Sequence, residues 1–207
     1  MIKKEIEEYD LADFICVPSQ YVKETFIKYG IKKDKIIKIP YGVDLKEFCV
    51  VESKKRKDNK FRIISTGSIS VRKGSHYLLE AFKELSLPNS ELIFVGSFDP
   101  DFKKIIKRYS NIKNIRFIKK QKQELLRNFY NDSDLFILCS IEEGLAMVQA
   151  QAMACGLPVI CTTNTGGSEI VDENINGHII PIKDVQLLKD RIKNLYYDRR
   201  KLKQMSK

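Results

Sequence analysis

Three short segments of this 207-residue chain combine small residues with charge in a way suited to holding an anionic ligand. The first, Thr66-Gly67-Ser68-Ile69-Ser70-Val71-Arg72-Lys73-Gly74, closes on an adjacent cation pair. The second, Ser140-Ile141-Glu142-Glu143-Gly144-Leu145-Ala146, carries two carboxylates directly before a run of small residues. The third is Thr162-Thr163-Asn164-Thr165-Gly166-Gly167-Ser168-Glu169. Small residues let backbone N–H groups approach a ligand, and a helix starting behind each loop favours negative charge there. Arg72 and Lys73 suit a phosphate-bearing ligand, while Glu142 and Glu143 can accept hydrogen bonds from hydroxyls such as a sugar offers. Gln151 follows Glu143 by eight residues, within reach of the same cleft, in the run Met147–Cys155. The small and apolar residues of that run predict a buried helix, in which each glutamine needs a partner. Two plainer readings stand beside these: a surface turn with Arg72 and Lys73 in water, and glutamates that only complement a helix dipole.

Several familiar chemistries are excluded. Lys73 precedes Gly74 and no hydroxyl residue follows it, so residues 67–74 are not a Walker A loop. Neither a dinucleotide fingerprint nor a nucleophile elbow is present. Five cysteines, none in a C-x-x-C pair, and two histidines argue against a zinc site or a disulfide scaffold, and point to reduced thiols in a cytosolic protein. No apolar run approaches the ~18 residues of a membrane helix, and the charged N-terminus lacks the apolar core of a secretion signal.

The elements that must position these loops are predicted by hydrophobic pattern. Strands are expected at Phe14–Val17, Ile36–Ile39, Phe61–Ser65, Leu92–Val95, Ile115–Ile118, Leu135–Cys139, Pro158–Cys161 and His178–Ile180. Helices are expected at Gln20–Tyr29 behind the cap Ser19, and at His76–Leu85, Phe102–Arg108, Gln123–Asn131, Met147–Cys155 and Ser168–Val171. A basic amphipathic segment follows from Asp184, fit either for an anionic membrane or for packing on its own domain. Alternating strands and helices imply right-handed crossovers and a Rossmann-like, doubly wound parallel sheet. In such sheets ligands bind at the carboxyl ends of the strands, where the three loops fall.

The net charge is +10, from 37 Lys and Arg against 27 Asp and Glu, and it is unevenly placed. Residues 1–48 balance, while residues 53–62, 101–127 and 188–207 carry +5, +8 and +6. Residues 128–187, which hold two of the three loops, carry −7. The 53–62 run reads as a loop or linker. Without interleaved stacking aromatics the basic runs read as solvated faces or linkers rather than a nucleic-acid groove, and attraction to an anionic membrane is a further hypothesis for the surplus.

The segment from Glu143 through Ile160, EGLAMVQAQAMACGLPVI, resembles the donor-site signature of retaining glycosyltransferases of the GT-B fold, group 1 or family four. Three other stretches agree in order and spacing. Ala12–Ser19 with Ile39–Asp44 and Phe48 is similar to the family's interdomain region. Gly67–Gly74 with Leu78, Leu79, Ala81 and Phe82 is similar to its glycine–lysine segment, and Thr165–Glu169 with Asn176, Gly177 and Pro181 to its closing segment. Together they cover nearly the whole chain.

The resemblance implies transfer of a sugar from a UDP- or GDP-sugar to a saccharide or lipid-linked acceptor, with retention and with neither cofactor nor obligatory metal. It implies that Lys73 and Glu143 act at the reacting centre: Lys73 on the diphosphate, with the amides of Gly144, Leu145, Ala146 and Met147, and Glu143 on the sugar hydroxyls. Gln151 would meet the ribose, and Gly67, Ser68 and Arg72 complete the donor site. Three positions depart from the family. Gln151 stands where it has a second glutamate, Ser68 where it has a basic residue (Arg72 would supply that charge), and Ala146 where it has a second glycine.

By the same resemblance, residues 1–44 are the last βα unit of an acceptor-side domain and its connection, and residues 45–207 the donor domain. The family's acceptor-side histidine has no counterpart, since His76 and His178 lie in other contexts. The chain is therefore expected to be half an enzyme, inactive alone and partnered by an N-terminal domain in cis or trans. Its expected place is the cytoplasm, with possible contact at the inner membrane face. A sugar-nucleotide 2-epimerase on the same architecture, or an inactive binding module, stays open.

Overall fold

The computed structural model describes residues 2–51, 56, 58–109 and 112–206. Of the expected 53–62 linker, residues 53–55 and 57 lie outside the described residues. Two parallel sheets form among those described. Strands β1 (Ile15–Val17) and β2 (Ile36–Lys38) make a small one. Strands β3 (Phe61–Thr66), β4 (Ser90–Val95), β5 (Ile115–Ile118), β6 (Leu135–Leu138), β7 (Val159–Thr162) and β8 (Gly177–Ile180) make the large one. Its order is β5-β4-β3-β6-β7-β8, with every neighbouring pair parallel.

The strands form where expected because their runs are apolar on both faces. In β4, β6 and β7 every residue is buried. Along β3 the two-residue period sends Phe61 and Ile63 into one core cluster and Ile64 into the other. The first cluster lies under α3 (Ser75–Leu85), α7 (Val185–Tyr197) and α8 (Arg199–Met205). The second lies under α5 (Gln123–Asn131) and α6 (Met147–Ala154). The small sheet packs under α1 (Ile2–Leu11) and α2 (Gln20–Lys28), where Tyr9 meets Phe26 edge to face at 4.9 Å. Ser19 caps α2 as expected, its hydroxyl accepting from the Val22 N–H.

Two expected helices are corrected. Phe102–Arg108 keeps only one α-turn, α4 (Lys103–Ile106), between 3₁₀ turns at Pro100–Phe102 and Lys107–Tyr109. No side chain caps it, and its like charges at i,i+3 and i,i+4 repel. Ser168–Val171 is instead a 3₁₀ turn, Gly167–Glu169, because Gly166 adopts φ +64° and breaks the helical path. Helices α1 and α8 were not expected. The second is so lysine- and arginine-rich that its buried pair, Leu202 and Met205, gives a faint pattern, yet Asp198 caps it by accepting from Lys201 N–H. The Asp184 segment packs on its own domain, burying Leu188, Ile192 and Leu195.

All five cysteines are free thiols, and burial pushes Cys139 and Cys161 up to about 12. Among the described residues no helix is long and apolar enough to cross a membrane, and no group of His, Cys, Asp and Glu could hold a metal ion. After β4 the chain turns at Gly96, where a side chain would run into the Gly67 backbone carbonyl. Gly96→Ala should therefore destabilise the chain by about 1–3 kcal/mol, the usual cost of overpacking, read as a lowered thermal midpoint. An unchanged midpoint would contradict this close approach.

Candidate active site

The sheet order places a topological switch between β3 and β6: the chain leaves β3 toward β4 on one side, and β6 continues on the other. Loops after such strands diverge and open a crevice at their carboxyl ends. The loops after β3, β6 and β7 meet there and brace one another through backbone groups. Ile141 N–H donates to the Arg72 carbonyl at 2.8 Å, and Glu143 N–H to the Asn164 carbonyl at 2.7 Å. The Asn164 amide donates to the Ile141 carbonyl at 3.1 Å. Two glycines allow this closeness: a side chain at Gly74 would strike the Cys139 carbonyl, and one at Gly166 the Gly144 carbonyl.

The bracing brings the expected charged residues together. Glu143 Oε2 is shared by Lys73 Nζ and by Arg72 Nη1, the latter at 3.2 Å. Lys73 and Glu143 are largely sheltered, at 15% and 19% side-chain exposure, whereas Arg72 is 55% exposed. The surface-turn reading thus fits only Arg72 in part. Behind the cluster, α6 begins at Met147 with Ala146 at its cap position and no side chain bonding its first amides. Those N–H groups are left for an anion. Leu145 and Ala146 are buried, and Met147 is 44% exposed. The third loop differs from expectation here, having only short 3₁₀ turns behind it.

Gly67 and Ser68 lie elsewhere, in the wall of a cavity of about 290 Å³ between the ends of β3, β4 and β5. Thr66, Gly96, Ser97 and Lys120 line it with them. Gln151 sits beneath this wall at 5% exposure. Its Oε1 accepts from the Tyr130 hydroxyl at 3.4 Å, and that hydroxyl shares a 2.8 Å hydrogen bond with Thr66. Gln149, fully buried, donates to the Thr165 carbonyl. Gln151 thus finds a partner, whereas Gln149 is satisfied only at its amide nitrogen, its buried Oε1 having no partner among the described residues. Tyr130 and Lys120 were missed by the sequence reading: one lies near the end of a predicted helix, the other in a basic run read only as charge.

Also missed was how the small sheet docks. Ser19 Oγ, besides capping α2, donates to the Gly144 carbonyl at 2.6 Å. Glu169 accepts from Gln20 N–H at 2.6 Å and from Lys38 Nζ at 2.7 Å. Burial alone would raise the Glu169 carboxyl, but the Lys38 and Gln20 hydrogen bonds outweigh it and hold the group below its usual range. A carboxylate depressed in the folded state stabilises above its unfolded value, about 4.3, and loses that contribution as the pH falls through the folded value. Glu169→Gln should therefore reduce amide-exchange protection across residues 15–38 relative to wild type at pH 7, and the gap should close as the pH drops below about 4. Equal protection at pH 7 would show that this contact does not hold the small sheet.

Comparison with known proteins places this geometry. Residues 50–207 match the family model for glycosyl transferases group 1. A probable sucrose-phosphate synthase of Thermosipho melanesiensis is 30% identical over 185 residues, which are 82% of this chain and 44% of that protein. The sucrose-phosphate synthase of Thermosynechococcus elongatus superposes on 100% of this chain and 55% of its own, with TM-score 0.86 and 22% identity. HepE of Anabaena, solved in complex with UDP and glucose, superposes on 94% of this chain and 56% of its own, with TM-score 0.82 and 22% identity. The chain thus spans about half the length of the curated relatives it matches. The sheet is the Rossmann-like one of the C-terminal half of GT-B proteins, and the chain belongs to the group 1 glycosyltransferase family.

Proposed function

We propose that this chain is the donor-binding half of a retaining glycosyltransferase, one that passes a sugar from a UDP- or GDP-sugar to a saccharide or lipid-linked acceptor. The observation that carries the reading is the Lys73–Glu143–Arg72 cluster, set before the uncapped start of α6 and beside a cavity of about 290 Å³. A nucleotide sugar has three parts of different chemistry, and this end of the sheet offers matching surroundings for each. The nucleoside fits the cavity lined by Thr66, Gly67, Ser68 and Ser97. The diphosphate fits Lys73, Arg72 and the amides of Gly144, Leu145, Ala146 and Met147. Sugar hydroxyls fit Glu143. That HepE was solved with UDP and with UDP-glucose supports this assignment by likeness of fold.

Lys73 and Glu143 pair with each other. Binding would exchange that pair for two new ones, Lys73 with phosphate and Glu143 with hydroxyls, so both groups stay compensated in a sheltered place. The leaving diphosphate would be met by fixed cations and backbone donors, which need no reorganisation as charge develops. Gln151 would meet the ribose through its side-chain amide, whose carbonyl also accepts from Tyr130 and keeps a second lone pair for a ribose hydroxyl. Residues 1–44 serve in this reading as a βα unit of the acceptor side and the connection to it, and residues 45–207 as the donor domain. The chain alone would bind donor without completing transfer, until an N-terminal domain supplies the acceptor side in cis or trans.

A UDP- or GDP-sugar should raise the thermal midpoint of the chain. Lys73→Ala should weaken binding by roughly 10- to 100-fold, since a hydrogen bond to a charged group contributes about 1.5–3 kcal/mol. No shift with either nucleotide sugar at millimolar concentration, or a shift untouched by Lys73→Ala, would overturn the reading.

A further inference from the structure

The basic surplus is not spread evenly once its partners are known. In the 56–62 stretch Arg56 pairs with Asp134, and Arg62 with Glu91 and Asp58. In the C-terminal helices Lys189 pairs with Glu84 and Arg191 with Glu173, while Arg199 lies over the Phe61 and Tyr196 rings at 4.4 and 5.1 Å. Lys193, Arg200 and Lys203 in those helices are exposed and have no acidic partner among the described residues, but around β5 the unpaired set is larger. Lys103, Lys104, Lys113, Lys119, Lys120 and Lys122 are all exposed and have no acidic partner among the described residues. Arg116, in the strand itself, reaches Glu91 at 3.6 Å.

These six lysines surround one structural feature. Strand β5 is one of the two edges of the large sheet. Lys103 and Lys104 lie on α4, turned outward because Ile105 and Ile106 pack into the core. Lys113 precedes the strand, and Lys119, Lys120 and Lys122 follow it. Three residues beyond, Leu125 is 43% exposed on the first turn of α5, an apolar side chain close in sequence to three lysines. The aromatic rings nearby face inward: Phe117 stacks on Phe94 at 5.4 Å, and Tyr109 packs against the core. A surface of mobile ammonium groups with an apolar side chain at its border, and with no ring free to stack on a base, suits a charged interface with lipid rather than nucleic acid.

We infer that the β5 edge is a docking surface for an anionic lipid bilayer. The carboxyl end of β5 is also where the cavity opens, lined by Lys120 and Gln121, so docking would hold the cavity mouth beside the membrane. This inference is independent of the ligand in that cavity.

Co-sedimentation of the whole chain with phosphatidylcholine vesicles, with and without phosphatidylglycerol, tests it. The chain should bind only the anionic vesicles and release as salt is raised. The triple variant Lys103→Glu, Lys104→Glu, Lys113→Glu should lower the bound fraction at least about tenfold. Leu125→Ser should lower it without any change of charge. A variant with equal charge reversal on the C-terminal helices, Lys193→Glu and Arg200→Glu with Lys203→Glu, should leave binding unaltered, and circular dichroism should show every variant folded. Equal binding to neutral vesicles, or loss only in the C-terminal variant, would overturn the assignment. So would tighter binding to duplex DNA or RNA than to anionic vesicles at the same ionic strength.

Discussion

The six strands of the large sheet run parallel and reverse their direction of growth at β3. Everything at the candidate site depends on that arrangement. Parallel pairing sends every strand-to-helix loop to one end of the sheet, and the reversal between β3 and β6 parts two of those loops. Residues 70 positions apart, Lys73 and Glu143, can therefore meet. The crevice is held open by backbone geometry more than by side chains. Gly74 and Gly166, both at positive φ, let the loops pass within contact of one another, and Asn164 ties the second loop to the third.

Within that frame the electrostatics are economical. One carboxylate, Glu143, pairs with two cations, Arg72 also reaches Glu142 at 3.8 Å, and the helix behind them begins without a side-chain cap. Such a site keeps its charges in place with little solvent around Lys73 and Glu143 and leaves unsatisfied amides for an incoming anion. The neighbouring small sheet touches the same loops. Ser19 on the Gly144 carbonyl and Glu169 on Gln20 and Lys38 link the small sheet to the second and third loops directly. A shift of one unit against the other would be felt at Gly144, next to the carboxylate of the cluster.

Much of this was legible in the sequence because buried parallel strands leave continuous apolar runs. All eight expected strands form, with ends differing by at most a few residues. That Lys73 and Glu143 lie at one end of the sheet was legible too, since strand-to-helix alternation assigns both loops there, whereas their direct pairing was not. Other features were hidden for physical reasons. Ser19 reads as a helix cap, and its second bond, to Gly144, spans 125 residues. Glu169 belongs to a recognisable motif, but its partners Gln20 and Lys38 lie in another sheet. Tyr130 and Gln151 meet only because α5 and α6 cover the same face. The charge runs could be counted but not sorted, because which lysines are free depends on partners far away in the chain.

The central claim is that one nucleotide sugar lies across the cavity and the cluster together. Amide chemical-shift mapping of the labelled chain during titration with UDP tests it most directly. The account predicts concerted shifts at Gly67, Ser68, Gly96 and Ser97 in the cavity and at Leu145, Ala146 and Met147 before α6, with one binding isotherm for both groups. Shifts confined to the basic groove near Arg56, Lys60 and Arg199, with the strand-end loops silent, would contradict it.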